Sequence, residues 1–446
     1  MRVEHWLLLG LLLAPPGCLP DRAAAPQPHD GAVPRPESAA AAAHSARLQA
    51  RDYAAIDRHA LSAPRAAERS LDALAAYLAA PARDEADKAR SAFRWIADRI
   101  AYDADAYFSG RFRNTHRAPQ DVLAHRQAVC DGYAGLFEAL AQRMGLEAVT
   151  VSGHAKGFAY RPGQALAGPA DHAWNAVRIA GQWHLLDPTW GAGTLQRETR
   201  AFRPHFEPHF FLTPPERFSY RHLPEQERWQ LLARPLSAES FAALPLPAPA
   251  FFRDGLALDS HAAAVIRGEG ELTLRLAAPA QVRLTARLLR GETEVAGEPT
   301  FVERAGGAVL IHVRPPRAGE YTLEVLSKPD PHTRVYESAL AYRIEAARGV
   351  GGGAGFPAIY RPFAEREGRL EAPRLGRLPA GQAQRFRVRM PGAEQVAVAL
   401  GDRLVELSPS GEAFEGELRV PRGPFILYAR FPGQNQYAGL LRFEGF

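Results

Sequence analysis

Gln127-Ala-Val-Cys130-Asp131-Gly132-Tyr133-Ala134 carries a cysteine out of a polar loop and straight into a helical pattern. Tyr133, Leu136, Phe137, Leu140 and Met144 then recur at steps of three and four, and Gly145 supplies the stop. Because the apolar face begins only at Tyr133, Cys130 falls at the helix start, ahead of the stripe on which a structural cysteine would sit. Peptide dipoles at a helix N-terminus favour the thiolate, the form that attacks acyl carbons. A backbone N–H there also points toward a developing oxyanion.

Downstream, Asp171-His172-Ala-Trp174-Asn175 and Trp183-His-Leu-Leu-Asp187-Pro188-Thr189-Trp190 read as two strands, His172 to Ile179 and Gln182 to Asp187. Ala180-Gly181 joins them. A two-residue turn pairs Ile179 with Gln182 and sets Trp174 opposite Asp187. His172 then falls opposite Thr189, diagonal to Asp187 and on the same face. Diagonal neighbours lie about 7–8 Å apart at the backbone, a gap that an imidazole and a carboxylate bridge. A slip of one residue would turn Asp187 to the other face. In this reading Cys130 is the nucleophile, His172 takes its proton and Asp187 fixes the ring tautomer. Taken singly, each has a plainer reading: a strand histidine, a turn-forming aspartate before Pro188, a cysteine packed as a small hydrophobe. Their order and shared face favour the catalytic one.

Trp174, Trp190 and His154 are candidate substrate-cleft residues. For the tryptophans the plainer reading is core filling. For His154-Ala-Lys156-Gly157 it is a solvated loop. His205 and His209, with Glu207 between them, imitate a helical zinc pair, but Pro204 and Pro208 oppose a regular helix there. Neither a metal nor any other cofactor is expected. Gln120 and Gln127 are both candidates for an oxyanion side-chain donor, and the sequence does not choose between them.

The chain has 446 residues, enough for about three domains. The apolar run from Trp6 to Ala14 is too short to span a bilayer and suits a signal-peptide core. Ala14-Pro-Pro-Gly17-Cys18 suggests a lipoprotein site ending a signal peptide at 1–18, although Pro15 stands where leucine is usual. Cys18 would then be lipidated, leaving Cys130 an unpaired thiol in an exported protein. Residues 19–45 are Ala/Pro-rich and read as a flexible tether. Ser70 precedes a helix with Leu71, Leu74 and Leu78 on one face; Asp84 precedes another with Ala89, Phe93, Ile96 and Ile100. The net charge of +5 comes from arginines interspersed with acidic residues, so no basic stripe for nucleic acid stands out.

Past residue 250 the pattern changes to short alternating strands. Gly319-Glu-Tyr321-Thr-Leu-Glu-Val325 is echoed by Gly423-Pro-Phe425-Ile-Leu-Tyr-Ala429, and Tyr336-Glu-Ser-Ala-Leu340-Ala-Tyr342 by Tyr437-Ala-Gly-Leu-Leu441-Arg-Phe443. Two copies of about 100 residues predict paired β-sandwiches over 250–346 and 356–446, with the Gly-rich linker 347–355 between them.

The blocks Ala-Val-Cys130-Asp-Gly-Tyr-Ala, His172-Ala-Trp-Asn-Ala-Val and Trp183-His-Leu-Leu-Asp187-Pro-Thr-Trp-Gly191 resemble the transglutaminase-like superfamily of papain-type thiol enzymes. Trp95-Ile96, Ile100-Ala-Tyr102-Asp103, His209-Phe-Phe-Leu-Thr-Pro-Pro-Glu216 and His222-Leu-Pro-Glu-Gln-Glu-Arg-Trp229-Gln-Leu-Leu232 resemble the branch containing the kyphoscoliosis peptidase. The resemblance implies a multidomain chain: an α+β papain-like core over 46–245, then two all-β immunoglobulin-like sandwiches. It implies Cys130, His172 and Asp187 as nucleophile, base and orienting acid. Two functions follow. One is an exported thiol enzyme, periplasmic or envelope-anchored through Cys18, acting on amide or isopeptide bonds of a protein or peptide substrate. The other is a non-catalytic adhesion or scaffold protein that uses the sandwiches.

Overall fold

A computed structural model of the chain describes residues 39–111, 115–330, 332–333, 335–353 and 355–446. The expected signal peptide with Cys18, and the tether as far as residue 38, lie outside the described residues. Helix α1 (Ala39–Gln49) occupies the last part of the stretch read as a flexible tether. Its alanines are strong helix formers, and a tertiary partner holds it: Ser45 Oγ lies 3.1 Å from His184 Nδ1, and the His44 and His184 ring centroids are 5.2 Å apart.

Helices α2 (Ala54–Leu61), α3 (Leu71–Ala79) and α4 (Glu85–Arg99) follow. Ser70 and Asp84 cap α3 and α4 by accepting the N–H of Ala73 and Asp87. The α4 stripe of Ala89, Phe93 and Ile96 is buried, as are Leu71, Leu74 and Leu78 of α3. Strand β1 (Ala101–Tyr102), α5 (Ala104–Ser109), α6 (Pro119–His125) and β2 (Gln127–Ala128) lead into α7 (Cys130–Arg143). Strands β3 (Ala148–Ala155), β4 (His172–Ile179) and β5 (Gln182–Leu186) then form the antiparallel sheet, and α8 (Pro188–Ala192) ends the β5 segment. After the pair β6 (Gly193–Leu195) and β7 (Phe202–Pro204), β8 (His222–Pro224) closes the sheet in the order β5-β4-β3-β8.

One sheet face packs on α7, where Asn175 Nδ2 donates to the Ala134 carbonyl at 3.0 Å. The turn has the expected parity. Ile179 pairs with Gln182, and Ala180 and Gly181 both take positive φ (50° and 77°), as a type I′ hairpin requires. The strand stops one residue short of expectation, at Leu186. His172 therefore does not face Thr189 across a ladder; the chain turns into α8 at Asp187 instead.

Each sandwich pairs a four-stranded with a six-stranded sheet among the described residues. The echoed segments take equivalent places: Gly319–Lys328 pairs with Glu337–Arg348, and Gly423–Arg430 with Ala438–Gly445. The first sandwich recruits residues before 250, since Leu246–Pro247 adds to the strand Glu337–Arg348. The Gly-rich stretch is tied down at its start, where the N–H groups of Val350 and Gly351 donate to the carbonyls of Pro315 and Pro316. The sandwiches share a joint in which Phe301 of the first packs into the core of the second, against Phe356 and Phe363. None of the described helices is long and apolar enough to cross a membrane.

Candidate active site

Cys130 is delivered by β2, which pairs in parallel with β1. Val129 is the N-cap, so Cys130 is the first residue of α7, half-buried and with a free thiol. Close packing beneath this entry demands glycine at 132, where a Cβ would lie 2.6 Å from both the Ala128 Cβ and the His116 carbonyl oxygen. The buried Tyr133 hydroxyl anchors the helix's first turn by donating to the Ile100 carbonyl at 2.6 Å.

His172 opens β4, and its Nε2 lies 2.7 Å from Asp187 Oδ2. Asp187 is fully buried and takes four donors. The backbone N–H groups of Thr189 and Trp190 bond Oδ1 at 2.9 and 3.0 Å, which makes Asp187 the N-cap of α8. Oδ2 receives His172 and, at 3.0 Å, His222 Nε2. With Nε2 committed to the carboxylate, Nδ1 is the His172 nitrogen left for the Cys130 sulfur.

The charges follow from this geometry. Burial pushes the His172 imidazole down, but the Asp187 carboxylate, its hydrogen bond and the Cys130 sulfur outweigh burial and hold it up at about 10. Burial works against ionised Asp187 too, yet His172 and His222 bring its carboxyl well below the usual range. Burial dominates at His222, lowering it to about 4 despite its bond to Asp187. The Tyr102 phenol is raised far above its ordinary value, first by burial and then by its nearness to Cys130.

Of the proposed cleft residues, Trp190 stacks on the His172 ring with centroids 5.1 Å apart and remains half-buried, so it walls the site. Trp174 is fully buried and packs with Val151, Leu185 and Phe218; its part here is core filling. His154 sits on β3 one residue beyond Gly153, the partner of His172, and so projects to the opposite face of the sheet from His172. The solvated-loop reading fails at Lys156. That side chain has no exposed surface, and Nζ donates to the carbonyls of Phe241 and Leu244 at 2.6 and 2.9 Å. Gln120 and Gln127 are both exposed. His209 stacks on Phe252 in a 3₁₀ turn, Pro208–Phe210, in place of a zinc-binding helix.

The residue that sequence reasoning missed is His222. It lies in a stretch shared with the branch named above, but no spacing rule ties a histidine 35 residues after Asp187 to that carboxylate. Ligand-type atoms of His172, Asp187 and His222 all lie within 4.8 Å of one another. The contacts of 2.7 and 3.0 Å are hydrogen-bond distances. Bonds of about 2.0–2.2 Å to a shared metal would hold the three atoms farther apart.

A helix-start cysteine, a histidine and a buried aspartate thus come together, in that chain order, at one end of a small antiparallel sheet. Residues 72–188 match the transglutaminase-like superfamily model, and 238–350 match the KY-like immunoglobulin-like domain. The chain thus carries a transglutaminase-like superfamily domain followed by an immunoglobulin-like one. It is 32% identical to the kyphoscoliosis peptidase of Mus musculus over 278 residues, 62% of this chain and 40% of that protein. The Homo sapiens kyphoscoliosis peptidase is 32% identical over 282 residues, 63% of this chain and 41% of its own length. Hillarin of Drosophila melanogaster is 27% identical over 302 residues, 62% of this chain and 36% of that one. The chain therefore spans about two fifths of the length of these relatives.

Proposed function

We propose that this protein is an exported thiol enzyme that opens peptide or isopeptide amides through an acyl-enzyme on Cys130. The observation that carries the proposal is the His172 imidazole bonded to Asp187 Oδ2 at 2.7 Å, near enough to the Cys130 sulfur to be raised by it. The Cys130 thiolate attacks the amide carbon, forming an S–C bond while the carbonyl π pair moves onto oxygen. The first N–H groups of α7 face that oxyanion. His172 carries the thiol's proton and passes it to the departing amine as the C–N bond breaks, leaving a thioester. Water resolves the thioester to an acid, or an amine resolves it to a new amide; the thiol is restored in both cases. The export half of the proposal draws on the apolar run Trp6–Ala14 and on Cys18.

The test is mass spectrometry of a protein mixture incubated with the wild type or with Cys130→Ala. Wild-type-specific cleavage identifies a hydrolase, and wild-type-specific crosslinks identify an acyltransferase. Slow labelling of Cys130 by an electrophile at neutral pH, unchanged in His172→Ala, would return the protein to the scaffold class. The mass of the mature N-terminus decides whether Cys18 carries lipid.

A further inference from the structure

Asp187 Oδ2 has two imidazole partners, and the reaction described above uses only one. His222 opens the edge strand β8 directly opposite Ala155. Its ring lies flat on Phe218, with centroids 3.8 Å apart and planes inclined by 14°. Trp190, Trp174 and Phe210 surround it at 4.5, 5.0 and 6.3 Å. The side chain is 1% exposed. Its polar contacts are Asp187 Oδ2 at 3.0 Å and, more distantly, the Phe218 carbonyl at 3.4 Å from Nδ1. Asp187 and His172 act on its charge, and its own charge acts on His209. Since a carboxylate only accepts, the proton of a neutral His222 sits on Nε2.

We propose that His222 is a positioning residue for the His172–Asp187 pair, a second donor that pins the carboxylate and moderates its hold on the His172 proton. The inference rests on the proposed thiol chemistry. Oδ1 is occupied by two backbone N–H groups, so the charge on Oδ2 is shared between His172 and His222. Within this aromatic box His222 supplies the second hold. It also drains charge from Oδ2. A carboxylate with fewer donors is more basic and grips the neighbouring imidazolium harder, which opposes proton delivery to the leaving amine.

The experiment follows the alkylation rate of Cys130 by iodoacetate against pH in the full chain. Iodoacetate is drawn to the imidazolium, so its rate falls as His172 loses its proton, and this limb should vanish in His172→Ala. His222→Phe keeps a flat ring on Phe218 and removes the donor. It should move the limb up by about one pH unit, the scale of one hydrogen bond to a charged group. His222→Gln, whose amide donates from a similar reach, should move it back. A limb that stays in place in His222→Phe, even with a lowered melting temperature, reduces His222 to a packing residue and overturns the inference while the thiol reading stands. A wild type without the limb overturns the thiol reading itself. Imidazole ¹⁵N shifts of the wild-type chain provide a check that needs no variant. They should show His222 protonated on Nε2 at neutral pH; a proton on Nδ1 alone would overturn the inference.

Discussion

In the transglutaminase-like core, Asp187 has no exposed surface and gathers two imidazoles and two backbone N–H groups. In the second sandwich, Glu415 takes Arg385 and Arg387 on a sheet face where all three side chains keep 27% or more of their exposure. Glu371 likewise takes Arg387 and Arg389 there. Both regions pair acids with bases at similar distances, but one does so without water and the other within it. Water between charges flattens their energies, so the sandwich ladder dresses a surface. Without water, small displacements of a proton become costly, and groups can be held away from their ordinary protonation. The shifts of His172 and Asp187 therefore belong to a dry interior that the exposed ladder of the second sandwich lacks.

The sharpest way to break this contrast is Asp187→Ala. It leaves His172, His222 and the N-terminus of α8 without an acceptor in a dry interior. We expect a loss of about 3–5 kcal/mol, read from urea unfolding. Next is Phe301→Ala, which empties the joint between sandwiches. A large-to-small change at so buried a site costs roughly 3 kcal/mol and should split a shared sandwich transition into two in calorimetry.

Acid should then separate the regions by pH. His184, His209 and His222 are held by burial at about 4, 3 and 4. Their folded values lie below the unfolded one, so the unfolded core binds more protons, and stability is lost as pH falls from roughly 6.5 toward 4. The sandwich joint behaves otherwise. His312, which burial would lower, is raised by its bonds to Glu271 and Glu303. Its contribution is complete below roughly 6.5 and is lost as pH rises through its raised value. Glu271, despite burial, is brought to about 2 by His312 and Arg314, and its contribution is lost only as pH falls from about 4.5 toward that value. Hydrogen exchange at pH 4.5 should therefore quicken across β3, β4, β5 and β8 before it quickens around 300–314. The smallest effect belongs to Arg387→Ala on the exposed ladder, which should leave the melting temperature unmoved in moderate salt.

Much of the core was legible because its signals are local. The caps Ser70 and Asp84, the stripe after Cys130 and the parity of Ala180-Gly181 each depend on residues within a few positions of one another. His222, Lys156 and α1 were not legible for the converse reason. His222 reaches Asp187 only because β8 joins the far side of β3, and Lys156 is buried only because the helix Ala238–Ala243 and the residue after it return to cover it. His154 looked like a cleft residue by its nearness in sequence to a strand end, and the register of β3 against β4 turned it to the other face from His172.

By itself, the order of residues determined that a cysteine would start a helix, that a tight turn would join the strands after the histidine and before the aspartate, and that two repeated β-units would follow. Helix caps, apolar periods and turn chirality act over a few bonds, so they can be read without knowing the fold. Only the tertiary structure decided that a second imidazole completes the carboxylate, that a lysine loses its water and that one sandwich plugs the other. Those outcomes depend on desolvation by segments distant in the chain, and burial is a property of the assembled packing that no local pattern carries.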